Sequence, residues 1–425
     1  MHEPGQVRAA QRSRSRDYGS ITVVDNLTHA FLGAAMAECA LPRNASATAR
    51  TAFIGVGVVG ANAPDVDLLY NGIIEQPLGY LLHHRGHSHT LPGLVVLGIL
   101  IWSGARLWPR ARLAIAGMER RFVSLIAGAL ASHLIMDTAN SYGTHLWYPL
   151  SSGWVYGDAV FVLEPWLWAM LGATLVSNAG RLSWRVSIAV VALLPILALV
   201  QVGLLQARVL AGILLVVGAA AAVVRRWPRR MRSATALVAT AAVVVAMSGL
   251  SRLAKAEARR AISGPAEVID VTADANPGVP WCWAVMVLHE AGGGAGDALT
   301  ATRATVSLLP GVWPAASCAS ARLSAGWATE GQRTDAVVWH RQWRIDVDAL
   351  RAVYEGDCRA RAWLQFGRVP YVSNGRIVDL RFEHPIGQNF TPMTLNTAAG
   401  TPSCPRYVTN WELPRRDVLT APVGP

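Results

Sequence analysis

Four short motifs hold residue types able to bind a metal ion and move protons. The densest is His83-His-Arg-Gly-His-Ser-His89, with four histidines in seven residues. Neutral imidazole is a common ligand for zinc and similar ions, and Arg85 adds a fixed cation suited to phosphate or carboxylate. Ala63-Pro-Asp-Val-Asp67 follows an apolar run. Two carboxylates there are costly unless paired or metal-bound; one can ligate while the other orients a ligand. The plain alternative is a solvated turn with a helix cap. In Ser132-His-Leu-Ile-Met-Asp137, His133 and Asp137 stand at i and i+4 and share a helix face. They lie inside an apolar helix, where polar groups turn inward; a His–Asp hydrogen bond without metal is the alternative. Asp25-Asn-Leu-Thr-His29 opens another apolar helix. Asp25 or Thr28 can cap it, leaving His29 in the first turn as a ligand or as a structural histidine. Asp158 and Glu164, at the start of a later span, are candidates to complete the ligand set or act as general base.

These motifs need apolar helices to position them. The cleaner candidate spans are Leu91–Trp108, Phe122–Ala139, Ala159–Ser177, Val186–Leu205, Val209–Val224 and Ala234–Leu250, with two shorter ones, Thr28–Leu41 and Thr51–Ala63. About 20 apolar residues cross a bilayer, so a mainly α, polytopic transmembrane bundle of about six to eight spans is expected. Arginines flank the runs, at Arg43 and Arg50, Arg106 to Arg121, Arg181 and Arg185, and Arg225 to Arg232. Positive loops face the cytoplasm. Following the chain on that basis puts 64–90, 140–158 and the segment after the last span outside, so all four motifs share one side. Arg208, the group Arg252, Lys255, Arg259 and Arg260, and the tail with Arg8, Arg12, Arg14 and Arg16 resist this scheme.

Composition agrees with a membrane protein. Of 425 residues, 52% are hydrophobic and only 15% charged, against about a quarter charged in soluble domains. The net charge of +11 is carried mostly by loop arginines, which argues against nucleic acid as a partner and for the lipid bilayer. Residues 1–23 are polar, Arg/Ser-rich and lack the apolar core of a signal peptide. They are expected to be a disordered or untranslated tail, with translation beginning at Val24. Residues 24–252 form the membrane domain and 253–425 a smaller, β-rich or α+β domain outside the membrane. Strand-like stretches there are Val268–Val271, Ala284–Leu288, Ala336–Trp339 and Arg376–Phe382. His289, His340 and His384 are expected to be ordinary polar surface. Cys282, Cys318, Cys358 and Cys404 all fall in this domain. They fit two disulfides in an oxidising compartment, with three pairings open.

Taken together, Asp-Asn-Leu-Thr-His29, Pro-Asp-Val-Asp67, His84-Arg-Gly-His-Ser-His89, Ser-His133-Leu-Ile-Met-Asp137 and the following Tyr-Gly-Thr with Trp147 and Pro149 resemble a bacterial inner-membrane, metal-dependent hydrolase family. Asn276-Pro with Trp281 and Trp283, and Arg368-Val-Pro-Tyr with Asp379-Leu-Arg-Phe, look like that family's C-terminal signatures. The resemblance implies metal ligation by His29, Asp65, Asp67, His84, His89, His133 and Asp137. The chain departs from it at His87, where the family more often has an apolar or aromatic residue. The scattered His and Asp also look like the zinc phospholipase C arrangement. Seven ligands exceed the three or four that one zinc needs, so two ions bridged by a carboxylate would use them. With Arg85 near, the expected substrate is a phosphoester of a lipid or envelope component, and the expected cofactor is a divalent metal, zinc or manganese. Arg85, Asp158 and Glu164 are the expected catalytic groups. The rival readings are a metal or proton transporter, which would hold its ligands near midplane, and a non-catalytic membrane protein stabilised by metal.

Overall fold

The computed structural model describes residues 26–262, 267–290, 298–327, 333–384, 389–395 and 404–419. The tail 1–23, Val24 and Asp25 lie outside the described residues. The first part is helical: α1 (residues 26–40), α2 (Ala47–Asn62), α3 (Leu78–His83), α4 (Leu91–Leu107), α5 (Pro109–Ile115), α6 (Glu119–Thr138), α7 (Pro165–Asn178), α8 (Leu182–Gln201), α9 (Ala207–Val224) and α10 (Arg229–Ala261). Local chemistry starts several of them. Ser46 Oγ accepts from Ala49 N at 3.1 Å to open α2, and Thr90 Oγ1 accepts from Gly93 N at 3.1 Å to open α4. Small residues let α1 and α2 meet backbone to backbone. A Cβ on Gly33 would stand only 2.1 Å from the Gly57 carbonyl oxygen.

The long helices alternate between two ends of the bundle. At one end Arg50 donates to the Asn178 carbonyl (3.0 Å), Asn178 Nδ2 to Ser233 Oγ (2.9 Å) and Arg121 to the Ala40 carbonyl (3.2 Å). These contacts gather the C-terminal ends of α1 and α7 with the N-terminal ends of α2, α6 and α10. The arginine-rich breaks therefore lie together at this end. The metal-ligand motifs lie at the opposite end, beside the C-terminal domain. Large apolar side chains such as Val95, Ile99, Leu215, Val238 and Val245 are exposed along the helices, as a lipid-facing surface requires.

Among the described residues, four stretches are long and apolar enough to cross a membrane: Ala47–Ile73, Leu182–Gln201, Ala207–Val224 and Arg229–Ala261. The pair Leu78–His89 and Leu91–Leu107, bent by 70°, makes a fifth if it counts as one span. This is fewer than the six to eight expected. α6 carries Glu119, Arg120, Arg121, His133 and Asp137, which lower its mean hydropathy. α7 begins only at Pro165 and is 14 residues long, because residues 159–164 form a loop. α10 continues through the expected domain boundary at residue 252. Its last three turns leave the apolar stretch, which is how it carries Arg252, Lys255, Arg259 and Arg260.

The C-terminal domain is built on an antiparallel meander, β1 (Val268–Asn276), β2 (Val279–Glu290), β3 (Ala298–Ser307) and β4 (Val337–Asp346). A smaller antiparallel sheet comprises β5 (Pro370–Ser373), β6 (Arg376–Asp379) and β7 (Met393–Thr394). Helices Val347–Gly356 and Cys358–Trp363 stand between them, so the domain is α+β. Strand β3, ALTATRATVS, was not expected; its Ala and Thr alternation is weak in apolar contrast. Val271, Ala273, Trp283, Val285 and Val306 share one core with Ala254 and Ala258 of α10. The β1–β2 turn rests on α9, its Gly278 taking a φ of +71° beside Ile213. Cysteines pair Cys282–Cys318 and Cys358–Cys404. His340, expected at the surface, is instead buried, with Nε2 3.0 Å from Thr305 Oγ1.

A buried ion network joins the two parts. Arg368 Nη1 donates to both oxygens of Asp158 (3.0 and 3.1 Å), and its Nε and Nη2 donate to Asp270 (2.8 and 3.0 Å). Lys255 of α10 pairs with Asp158 as well. Burial alone would raise the Asp270 carboxyl, but Arg368 beside it holds it down to about 2. That stabilisation is present above the unfolded value of about 3.9 and is lost as pH falls through the folded value near 2. Removing one partner of such a network leaves a buried charge uncompensated, which costs about 3–5 kcal/mol. Arg368→Ala is expected to lower the thermal unfolding midpoint in detergent by several degrees. An unchanged midpoint would contradict the network's role.

Candidate metal centre

The chain turns sharply where its ligands gather. Past α2, Pro64 opens a 3₁₀ turn (Ala63–Leu69) that carries Asp65 and Asp67. After α3, Arg85 adopts a left-handed φ of +58°, a conformation costing roughly 1 kcal/mol for a non-glycine residue. It is held by its own N–H, which donates to Asp67 Oδ2 at 2.9 Å. Another 3₁₀ turn (His87–His89) then aims His89 inward before α4 begins. His133 and Asp137 project from the last turns of α6.

Four ligand atoms converge. His89 Nε2 lies 3.0 Å from His133 Nε2, 3.1 Å from Asp137 Oδ2 and 3.4 Å from Asp65 Oδ1. His133 Nε2 lies 3.3 Å from Asp137 Oδ2 and 3.6 Å from Asp65 Oδ1. A tetrahedron with metal bonds of 2.0–2.1 Å has edges of about 3.3 Å, so these distances fit a zinc-sized ion. The tautomers point the same way. His133 Nδ1 lies 2.6 Å from the Ala61 carbonyl and must donate to it. His89 Nδ1 lies 3.0 Å from Asp67 Oδ2, a carboxylate acceptor. With both rings neutral, each presents a lone pair at Nε2, and two lone pairs 3.0 Å apart repel; a metal ion between them, or a proton on one ring, removes that repulsion. His89, His133 and Asp137 are fully buried, and neither Asp137 oxygen accepts a well-aligned hydrogen bond. The donor set fits a divalent ion.

The other expected residues surround this group. Asp67 is an organiser, accepting from Arg85 N and Ser88 Oγ (both 2.9 Å) and facing His89 Nδ1 and His84 Nδ1 (3.2 Å). A carboxylate behind a ligating histidine fixes its ring and raises its basicity. Asp65, Asp67 and His84 form a second set of ligand atoms close enough to share an ion, and Asp65 belongs to both sets. His29 faces the outer oxygen of Asp137 at 3.2 Å and stacks on His133 at 3.9 Å between ring centroids. Arg85 Nε lies 3.0 Å from Asp137 Oδ2, and its Nη1 donates to Asn140 Oδ1 at 2.7 Å. His87 packs against Trp411 and Tyr148.

Asp158 and Glu164 are not brought into the cluster. Asp158 is occupied by Arg368 and Lys255. Glu164 is buried at the N-terminus of α7, where its Oε1 accepts from Trp166 N and from Gly278 N of the β1–β2 turn. The contributions of Ser88, Asn140 and the Ala61 carbonyl were not legible in the motifs. Asn140 stands three residues past Asp137, a spacing that carried the only available signal; a backbone carbonyl carries none.

Residues 24–209 match the family model described as YdjM inner membrane protein. That span is under half of the chain, yet it includes every candidate ligand and ends before the C-terminal domain. The match supports a bacterial inner-membrane family, in agreement with the apolar helices. The chain is also 26% identical over 163 residues to the uncharacterized protein YfhP of Bacillus subtilis (strain 168), covering 37% of this chain. It spans about half the length of that curated relative, 47%. No solved structure matches.

In tag-free protein purified in detergent, elemental mass spectrometry should find a divalent metal that is lost in His133→Ala and in Asp137→Ala. Asp67→Ala should weaken affinity about 10–100-fold without abolishing it, and Glu164→Gln should leave the metal content unchanged. Full metal content in Asp137→Ala would contradict the ligand set.

Proposed function

We propose that this chain is a membrane-bound, metal-dependent hydrolase acting on a phosphoester of a lipid or envelope component. The observation that carries this reading is the convergence of Asp65, His89, His133 and Asp137 at 3.0–3.6 Å with both histidine tautomers fixed from behind. Zinc, or manganese, would supply a water nucleophile usable at neutral pH and Lewis-acid polarisation of the phosphoryl oxygen. Hydrolysis joins the water oxygen to phosphorus, breaks the P–O bond to the alcohol, and moves one proton from the water to the leaving oxygen. His84 is our choice to carry that proton. Its Nδ1 faces Asp67 Oδ1 at 3.2 Å, and its ring lies 5.9 Å from that of His89. Asp67 thereby holds it as a carboxylate holds a general-base histidine. Arg85 contributes positive charge beside Asp137 for the developing phosphorane oxygens. Asp158 and Glu164, engaged elsewhere, have no part in this scheme. Asp65, Asp67 and His84 form a second set of ligand atoms; were a second ion held there, His84 would be a ligand and the proton would leave through the metal-bound water instead.

We place the arginine-rich end of the bundle in the cytoplasm and the cluster, with the disulfide-bonded domain, outside. Two disulfides in one domain support an oxidising compartment, and the positive loops support the orientation. The bundle itself then crosses the membrane with more helices than the four or five that meet length and composition alone, α1 and α6 among them. A transporter would hold its ligands near midplane; here they lie at helix ends, on the side of the soluble domain.

Zinc-loaded full-length protein should hydrolyse a chromogenic phosphodiester or phosphomonoester, and Arg85→Lys should reduce kcat by roughly a hundredfold with metal retained. Turnover no greater than that of Asp137→Ala across both ester classes would contradict the hydrolase reading. An alkaline phosphatase fusion at the C-terminus should be active; inactivity there, with activity from a fusion after Ala116, would reverse the orientation.

A further inference from the structure

The apolar surface is not smooth near the cluster. A groove of about 480 Å³ runs between α4 and α6, lined wholly by apolar side chains and glycine, with Leu91, Leu94, Gly98 and Trp102 on one wall and Ile126 and Leu130 on the other. The size is in the range of ligand sites. Leu91 stands two residues from His89, so the groove begins where the metal ligands end. On α6 the register is continuous: Ile126, Leu130, His133 and Asp137 fall at i, i+4, i+7 and i+11, one face of the helix. The same face is apolar along the groove and metal-binding at its end. Gly98 sits on the groove wall, where a Cβ would come into van der Waals contact with Leu130 Cδ1 at 3.4 Å and a larger side chain would project into the groove. From Leu91 to Trp102 the groove follows α4 for about 16 Å. One leaflet of a bilayer is about 15 Å of hydrocarbon. Leu91 is 48% exposed, so the groove is open sideways to the lipid and continuous with the lipid-facing surface.

We infer that this groove seats one hydrocarbon tail of an outer-leaflet phospholipid whose phosphate reaches the Asp65–His89–His133–Asp137 cluster. The inference rests on the hydrolase reading and gives its substrate class: a two-part lipid, taken laterally from the membrane, with its tail aligned along α4 and α6 and its ester at the ligand end. A water-soluble phosphoester has no use for a groove of one leaflet's depth.

The test uses the full chain in nanodiscs containing a small fraction of phosphatidic acid with a diazirine midway along one acyl chain. After illumination, labelled peptides are mapped and metal content is measured in the same samples. Labelling is expected to concentrate on 91–102 and 123–130, at least fivefold above α9. It should fall at least fivefold in Gly98→Leu and in Ala127→Leu, which fill the groove from its two walls with metal content unchanged. It should fall similarly in Asp137→Asn, which removes the anchor for the phosphate. Labelling of α4 and α6 no greater than that of α9 overturns the inference. So does groove labelling indifferent to Asp137→Asn, which marks ordinary bilayer lipid. If wild type holds metal while either of these results is seen, only the tail site falls; if wild type holds no metal, the hydrolase reading falls with it.

Discussion

Two imidazole nitrogens, His89 Nε2 and His133 Nε2, face each other at 3.0 Å in a fully buried place, and much of the molecule serves to hold them there. Left to themselves the rings would rotate apart, because each Nε2 carries a lone pair once its Nδ1 is committed. The Ala61 carbonyl fixes one ring and the Asp67 carboxylate the other. The two carboxylates in the same shell, Asp65 and Asp137, bring negative charge that two neutral rings cannot balance. A divalent cation would answer both problems at once. The left-handed turn at Arg85, the 3₁₀ segments and the tight α1–α2 contact all set the backbone that makes this encounter possible.

The C-terminal domain reaches the same point. Arg381 Nη1 donates to the Ser141 carbonyl at 2.8 Å, and Ser141 Oγ donates to Asp274 at 2.6 Å. The neighbouring Asn140 accepts from Arg85, which in turn pairs with Asp137. A chain of polar contacts thus runs from the sheet domain to Asp137, a candidate metal ligand. His145, beside it, is stacked on Trp411 at 3.7 Å, and burial holds it neutral, at about 3. The domain is a brace for the loop that follows α6, and the Arg368 network fixes the brace to α10.

Much of this was legible in the residues themselves. The i, i+4 spacing of His133 and Asp137 and the crowding of histidines before α4 marked the cluster. The arginine positions assigned the helix ends, because loop charge is set by topology. What was hidden is tertiary. Asp158 and Glu164 read as catalytic acids because an acid beside an apolar run demands a partner; the partners turned out to be Arg368, Lys255 and the Gly278 amide, more than a hundred residues away or nearly so. Six to eight spans were expected, and four or five stretches among the described residues meet length and composition alone; α6 falls below that measure because it carries Glu119, Arg120, Arg121, His133 and Asp137. The disulfide pairing had no signature in spacing, and β3 had too little apolar contrast to be seen.

The claim on which the rest depends is that the cluster holds an ion through two imidazoles and two carboxylates. X-ray absorption at the zinc edge of the zinc-loaded full chain tests it most directly. Nitrogen and oxygen neighbours near 2.0–2.1 Å are expected, with the multiple-scattering signature of two histidines and no sulfur, since the one free thiol, Cys39, lies at the opposite end of the bundle. A shell containing sulfur, or one without histidine scattering, would contradict it.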